Sequence, residues 1–273
     1  MLIEDGLIRD DVTIQVLVQC RPELLARTFE CVQGAPRALI HFYNSTNPIQ
    51  RRVVFGLEKR GIVEIATTAA ALARTLEQTI PDTAVRYEYS PESFTLTEPD
   101  FAIEICEAVM DVIEPDGDER RLVLNLPATV ECYSPNVYGD VIEWFGRTIK
   151  HRDRVVLSVH PHNDRGCAVA AAEFGVMAGA ERVEGTLFGN GERPATSTSS
   201  HWRSTSWRTA STLNCISVTS TNCAASPTRL PDSPFTGTAT SSAKTLALSS
   251  QATSPILTRP PTATSLHHFS SPW

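Results

Sequence analysis

The sequence predicts an α/β fold with a parallel sheet or barrel, followed by a segment of different character. Three observations carry this. Short β-branched apolar runs alternate with longer amphipathic ones about six times between residues 12 and 193. Polar residues collect just after each apolar run, where strand ends of a parallel sheet share one rim. From residue 194 onward both patterns stop: 34 of the last 80 residues are Ser or Thr, and Asp232 is the only acid.

In chain order, residues 12–18 (VTIQVLV) form the first strand. Residues 22–32 form a helix with Pro22 in its first turn. Residues 38–43 make a second strand, followed by a helical segment over 51–59 and a longer Ala/Leu-rich helix over 62–78. Residues 84–89 are the third strand. Residues 100–113 are amphipathic, with Ile103, Ile105, Ala108, Val109 and Val112 at near-helical spacing. Strand four spans 121–126 and the next helix 136–149. Strand five, 154–159, is followed by a helix of small residues over 167–178, capped by Asn163 or Asp164 and ending near Gly179. Residues 182–187 are the sixth strand.

His160 and His162 sit two apart where the fifth strand ends. On extended backbone they point to one face, which makes half of a metal site. The pair also fits two histidines bonded to nearby carbonyls. The other rim positions are Gln19, His41 with Asn44, Ser90 with Glu92, Asn125 with Thr129, and Asn190.

Bulk properties narrow the class. At 273 residues and 41% hydrophobic, the chain is long enough for a sizeable core. Its net charge of −7 and lack of a basic block argue against nucleic acid as a partner. No signal peptide or membrane span is expected, and seven cysteines without a Cys-x-x-Cys fit a reduced, cytoplasmic compartment.

Seven motifs together carry a family resemblance over about residues 1–193. They are Asp10-Asp-Val-Thr-Ile-Gln-Val, His41-Phe-Tyr-Asn-Ser-Thr, Gln50-Arg-Arg-Val-Val-Phe, Glu88-Tyr-Ser-Pro-Glu-Ser, Asn125-Leu-Pro-Ala-Thr-Val-Glu, His160-Pro-His-Asn-Asp-Arg-Gly and Gly189-Asn-Gly-Glu-Arg. The chain resembles the 2-isopropylmalate synthase family of metal-dependent Claisen-type enzymes. The resemblance implies an incomplete (β/α)₈ TIM barrel, about six of eight strands, and the composition after residue 193 implies a disordered C-terminal tail. It implies condensation of acetyl-CoA with 3-methyl-2-oxobutanoate in leucine biosynthesis, and a divalent metal ion (Zn, Mn or Mg). His160, His162 and Asn190 would hold the metal. Leu17, His41, Ser90, Asn125, Pro127 and Thr129 would line the keto-acid pocket, with Glu92 as the catalytic residue. A homodimer is implied for the intact family member. Homocitrate and citramalate synthases are the related alternatives, and the His41 and Glu88 motifs favour isopropylmalate.

Two departures set further expectations. The family's first strand, with its Arg-Asp pair, has no counterpart before Val12, so two βα units are expected to be absent and the chain as written to be inactive. After Arg193 the tail carries +4 and the remainder −11. Permitted codons for residues 194–205, read with one added base in front, spell Thr-Gly-Asn-Val-Asp-Ile-Val-Thr-Leu-Ala-Leu-Asn. This is an amphipathic helix start, similar to the family's segment directly after Gly-Asn-Gly-Glu-Arg. The expected division is a partial barrel over 1–193 and a frameshift-derived, disordered tail over 194–273.

Overall fold

A computed structural model describes residues 2–9 and 11–186. Asn190 and the tail over 194–273 lie outside the described residues. Six parallel strands follow in sheet order as they do in sequence: β1 (Ile14–Gln19), β2 (Arg37–Ser45), β3 (Ala84–Glu92), β4 (Leu122–Ala128), β5 (Val155–Pro161) and β6 (Arg182–Val183). Between them run α1 (Pro22–Val32), α2 (Pro48–Gln50), α3 (Lys59–Glu77), α4 (Pro99–Ile113), α5 (Pro135–Thr148) and α6 (Ala168–Met177). This is repeated βα winding, as the alternation in sequence predicts.

Alternate strand residues divide the sheet into two faces. Val16, Val18, Ile40, Phe42, Tyr87, Tyr89, Leu124, Leu126, Leu157 and Val159 turn outward and join the helices in one core. The longer helices supply apolar stripes. In α1 the stripe is Leu25, Phe29 and Val32; in α5 it is Tyr138, Ile142 and Phe145. In α6 it is Ala168, Ala171, Ala172 and Gly175. The small residues of α6 let it lie close to β5: a Cβ at Gly175 would come within 3.1 Å of Val159 Cγ1.

The opposite face is concave. Leu39, Val123 and Val156 form a small apolar floor there. Above it most of the inward side chains are polar, and several reach across the interior. Gln15 on β1 donates to Glu184, just past β6, at 2.6 Å. In a flat six-stranded sheet the first and last strands would lie about 24 Å apart, at ~4.8 Å per strand. Two side chains cannot span that, so the sheet must roll into an α/β barrel wall. Among the described residues β1 and β6 each pair with one neighbour, which is the geometry of an incomplete barrel.

Three expectations need correction. Strands β2 and β3 continue to Ser45 and Glu92 rather than ending at residues 43 and 89. Their polar ends are accommodated because the barrel interior supplies partners. The segment over 51–59 is not one helix. It is the short α2, a π-helical turn over Arg51–Phe55, and a break at Gly56 (φ 63°) before α3. Arg51 pins that break from inside, donating to both Glu98 carboxylate oxygens at 2.8 and 2.7 Å and to the Thr46 carbonyl at 2.7 Å. Finally, neither Asn163 nor Asp164 is the N-cap of α6, which is Cys167; Asn163 Oδ1 accepts the Ala168 N–H at 3.1 Å from the preceding loop. Asp164 instead accepts the Glu131 N–H at 3.0 Å.

Candidate functional site

Pairing register sets how deep each inward residue lies. His41 is level with Glu88, and Asn125 with Ser158. Pro127 is level with His160 near the C-terminal rim, and Ser158 with Arg182. Glu184 follows β6, with its N–H donating to the Val159 carbonyl at 2.9 Å, which places it beside His160.

His160 and His162 do share a face. Their ring centroids are 5.1 Å apart and the rings nearly perpendicular, at 78°. His162 is buried and its N–H donates to the Ala128 carbonyl at 3.3 Å. The loop after it is clasped to the β4–α5 loop. Glu131, itself buried, takes the N–H groups of Arg165 and, at 3.1 Å, Cys167 on its carboxylate. Two adjacent imidazoles at a strand C-terminus, on a clasped loop, suit a divalent cation.

Below them lies a polar cluster. His41 accepts Gln15 Nε2–H at Nδ1 (2.9 Å) and donates from Nε2 to Ser90 Oγ (2.7 Å), a tautomer that is set by the amide donor. Asn125 Nδ2 donates to Ser90 Oγ and to Glu184 Oε2, both at 3.1 Å. Arg182 Nη1 lies 3.0 Å from Glu88 Oε2 and 2.9 Å from Glu184 Oε1, and donates to Ser158 Oγ at 3.2 Å. This packing sets the charges. Burial pushes His41 down to about 4, so it is neutral at pH 7. Burial and the adjoining Glu184 push the Glu88 carboxyl well above the usual range, against the pull of Arg182. Burial opposes the charge on Glu184, yet His41, Arg182, His160 and the Gln15 hydrogen bond hold its carboxyl below that range.

His41, Glu88 and Glu184 bring three ligand-type atoms within 4.8 Å of one another. Arg182 already sits between the two carboxylates, so a cation there would meet the guanidinium. The histidine pair at the rim is then the other candidate for a cation. Among the described residues Glu88 Oε1 and Asn125 Oδ1 are buried without a hydrogen bond. Each such acceptor costs about 1–3 kcal/mol, an expense found at working sites more than in cores.

The other expected residues lie at several depths. Ser90 and Asn125 join the cluster. Leu17 lies on β1 with 43% of its surface exposed, level with His41. Glu92, level with Ser45, accepts the Ser45 hydroxyl hydrogen bond. Thr129 is engaged elsewhere: its Oγ1 accepts the N–H of Ser93, a residue held at φ 62° directly after Glu92. Asn44 does not face the rim; it accepts from the Tyr89 hydroxyl at 2.8 Å and donates to the Ile62 carbonyl at 3.2 Å. Sequence reasoning missed Gln15, Glu88, Arg182 and Glu184. The available signal was charge at every second position of strands expected to be buried, as in Arg182 and Glu184.

Residues 4–197 match the HMGL-like family. The chain is 64% identical over 193 residues to the 2-isopropylmalate synthase of Parafrankia sp. (strain EAN1pec), covering 70% of this chain and 34% of that protein. It is 59% identical over 192 residues to the 2-isopropylmalate synthase of Clavibacter michiganensis subsp. michiganensis, covering 70% of this chain and 32% of that one. The chain thus spans about a third of the length of the curated relatives it matches. Among solved structures, an HMG-CoA lyase from Acinetobacter baumannii in complex with coenzyme A and 3-methylmalate shares the fold. Its TM-score is 0.53 at 14% identity, covering 74% of this chain and 62% of that one. No described helix is long and apolar enough to cross a membrane.

Proposed function

The chain belongs to the HMGL-like family, and from that premise we propose that residues 1–193 are barrel from a 2-isopropylmalate synthase-type acyltransferase. We assign acetyl-CoA and 3-methyl-2-oxobutanoate as its substrates; the relatives' name, 2-isopropylmalate synthase, supports this through the product it gives. The observation that carries the reading is the pairing of His160 and His162 above a cluster containing His41, Ser90 and Asn125. His160 and His162, with Asn190 as the expected third ligand, would hold a divalent cation, and that ion would supply Lewis-acid polarisation of the keto-acid carbonyl.

This chain's own groups have separate tasks. Ser90 accepts from neutral His41 and from Asn125, so its own O–H is left to donate to the keto acid, and the two uncharged neighbours fix its aim without adding charge. Leu17 and Pro127 face its isopropyl group. Glu92, steadied by Ser45, takes the proton from the acetyl methyl so that the carbanion-like carbon attacks the keto carbon. Thr129 acts one step back, through Ser93, on the aim of Glu92.

The test is calorimetric titration of the full chain with Mn²⁺ or Zn²⁺, for the wild type, His160→Ala and His160→Ala/His162→Ala. The single substitution should weaken the site and the pair should abolish it. Unchanged binding in the double variant would refute the assignment. Release of CoA thiol from acetyl-CoA with 3-methyl-2-oxobutanoate tests turnover separately.

We propose further that residues 194–273 are read out of frame. The family match ends at residue 197, close to the change in composition after Arg193. DNA sequence across codon 193 decides this: a continuous family-like frame one base away supports it, and stop codons in that frame count against it.

A further inference from the structure

Glu184 belongs to no expected set of site residues, yet four different strands or strand ends converge on it. Its two oxygens divide their work. Oε1 accepts Gln15 Nε2–H at 2.6 Å and pairs with Arg182 Nη1 at 2.9 Å. Oε2 accepts Asn125 Nδ2–H at 3.1 Å and lies 3.5 Å from His160 Nδ1. If Glu184 were only the counter-ion of Arg182, its Oε1 alone would serve, and Oε2 would have no reason to face Asn125 and His160.

We propose that Glu184 is a positioning residue whose carboxylate aligns the metal-holding His160 with Asn125 and, through it, with Ser90 on the substrate side. The proposal rests on the reading of His160 as a metal ligand given above. The physics is local. A carboxylate only accepts hydrogen bonds, so it fixes Asn125 with its NH₂ toward Glu184 and its oxygen turned away. At 3.5 Å the anion is beyond hydrogen-bond range of His160, but its field favours the tautomer protonated on Nδ1. That leaves the Nε2 lone pair for a cation and sets the ring plane. One anion therefore keeps the metal side and the keto-acid side of the site in register. Backbone geometry supports this, because the Glu184 N–H is bonded to the Val159 carbonyl, one residue before His160.

The experiment uses the full chain, ¹⁵N-labelled and metal-free, at pH 8, with ring nitrogens of His160 assigned by His160→Ala. The wild type should show His160 protonated on Nδ1. Glu184→Gln should shift the population toward protonation on Nε2, and should weaken Mn²⁺ binding by about 10- to 100-fold. Circular dichroism checks that the variant is folded. A structural counter-ion would leave the ring tautomer unmoved. If Glu184→Gln fails to fold, Glu184→Asp replaces it: the charge stays, the reach shortens, and an intermediate tautomer shift is expected. Wild-type ring shifts and wild-type Mn²⁺ affinity in the folded variant overturn the proposal. If the wild type binds no metal, the metal reading of the site falls, and the His160 ring shifts alone decide the role of Glu184.

Discussion

Neutral His41 makes the barrel interior sensitive to acid, and the size of the effect is set by its burial. Only 4% of this residue is exposed, and burial lowers its pKa to about 4, against an ordinary value near 6.5. Between these values the unfolded chain binds a proton that the folded chain refuses. Stability due to neutral His41 is therefore complete above pH 6.5 and is lost as pH falls toward 4. A shift of this size amounts to about 3 kcal/mol across the window, of which about 2 kcal/mol is gone by pH 5. The perturbation is His41→Gln, whose amide can still accept from Gln15 and donate to Ser90. The assay is urea unfolding followed by circular dichroism at pH 8, 6.5 and 5, with chelator present so that metal binding does not contribute. At pH 8 the wild type should be the more stable by about 1 kcal/mol, from better hydrogen bonds. By pH 5 that advantage should vanish or reverse. Glu88 and Glu184 are present in both proteins, so their own titrations largely cancel in the difference. Parallel pH profiles would refute the argument and show that His41 protonates in place without penalty.

Arg51→Met should cost about 1–2 kcal/mol at pH 7, discounted because Glu98 is 39% exposed; since Arg51 holds Glu98 down to about 2, the loss should fade as pH drops from 4.5 toward 2 in chemical denaturation. Gly175→Ala should destabilise by about 1–3 kcal/mol in a thermal melt, because the added methyl presses on Val159 and β5 has no room to recede. Thr129→Val should cost about 1–2 kcal/mol by leaving the Ser93 N–H without its acceptor; histidine NMR should show the His160 and His162 rings unchanged, since the damage lies beside Glu92.

The order of elements was legible in the sequence because each outward strand face and each helix stripe carries its own period. Leu25, Phe29 and Val32 repeat at helical spacing, and Ile40 and Phe42 alternate with their inward neighbours. His160 and His162 were legible for the same reason: two residues apart on a strand, they must share a face. Tertiary structure decided the rest. The sheet rolls, and Gln15 thereby meets Glu184 across 169 positions of sequence. No local pattern encodes that contact, since it depends on the accumulated curvature of six strands. Rolling also buries the polar ends of β2 and β3, so those strands run on to Ser45 and Glu92, past the point where polarity alone would end them. Asn44 shows the converse. It reads as a rim residue by type and position, but strand parity turns it outward, toward Tyr89 and Ile62. Residue type and periodicity determine which face a side chain takes. Whether that face is a solvated rim, a closed core or a charged interior is determined by how far the sheet curls and which carboxylates, amides and guanidinium it brings within about 3 Å of one another.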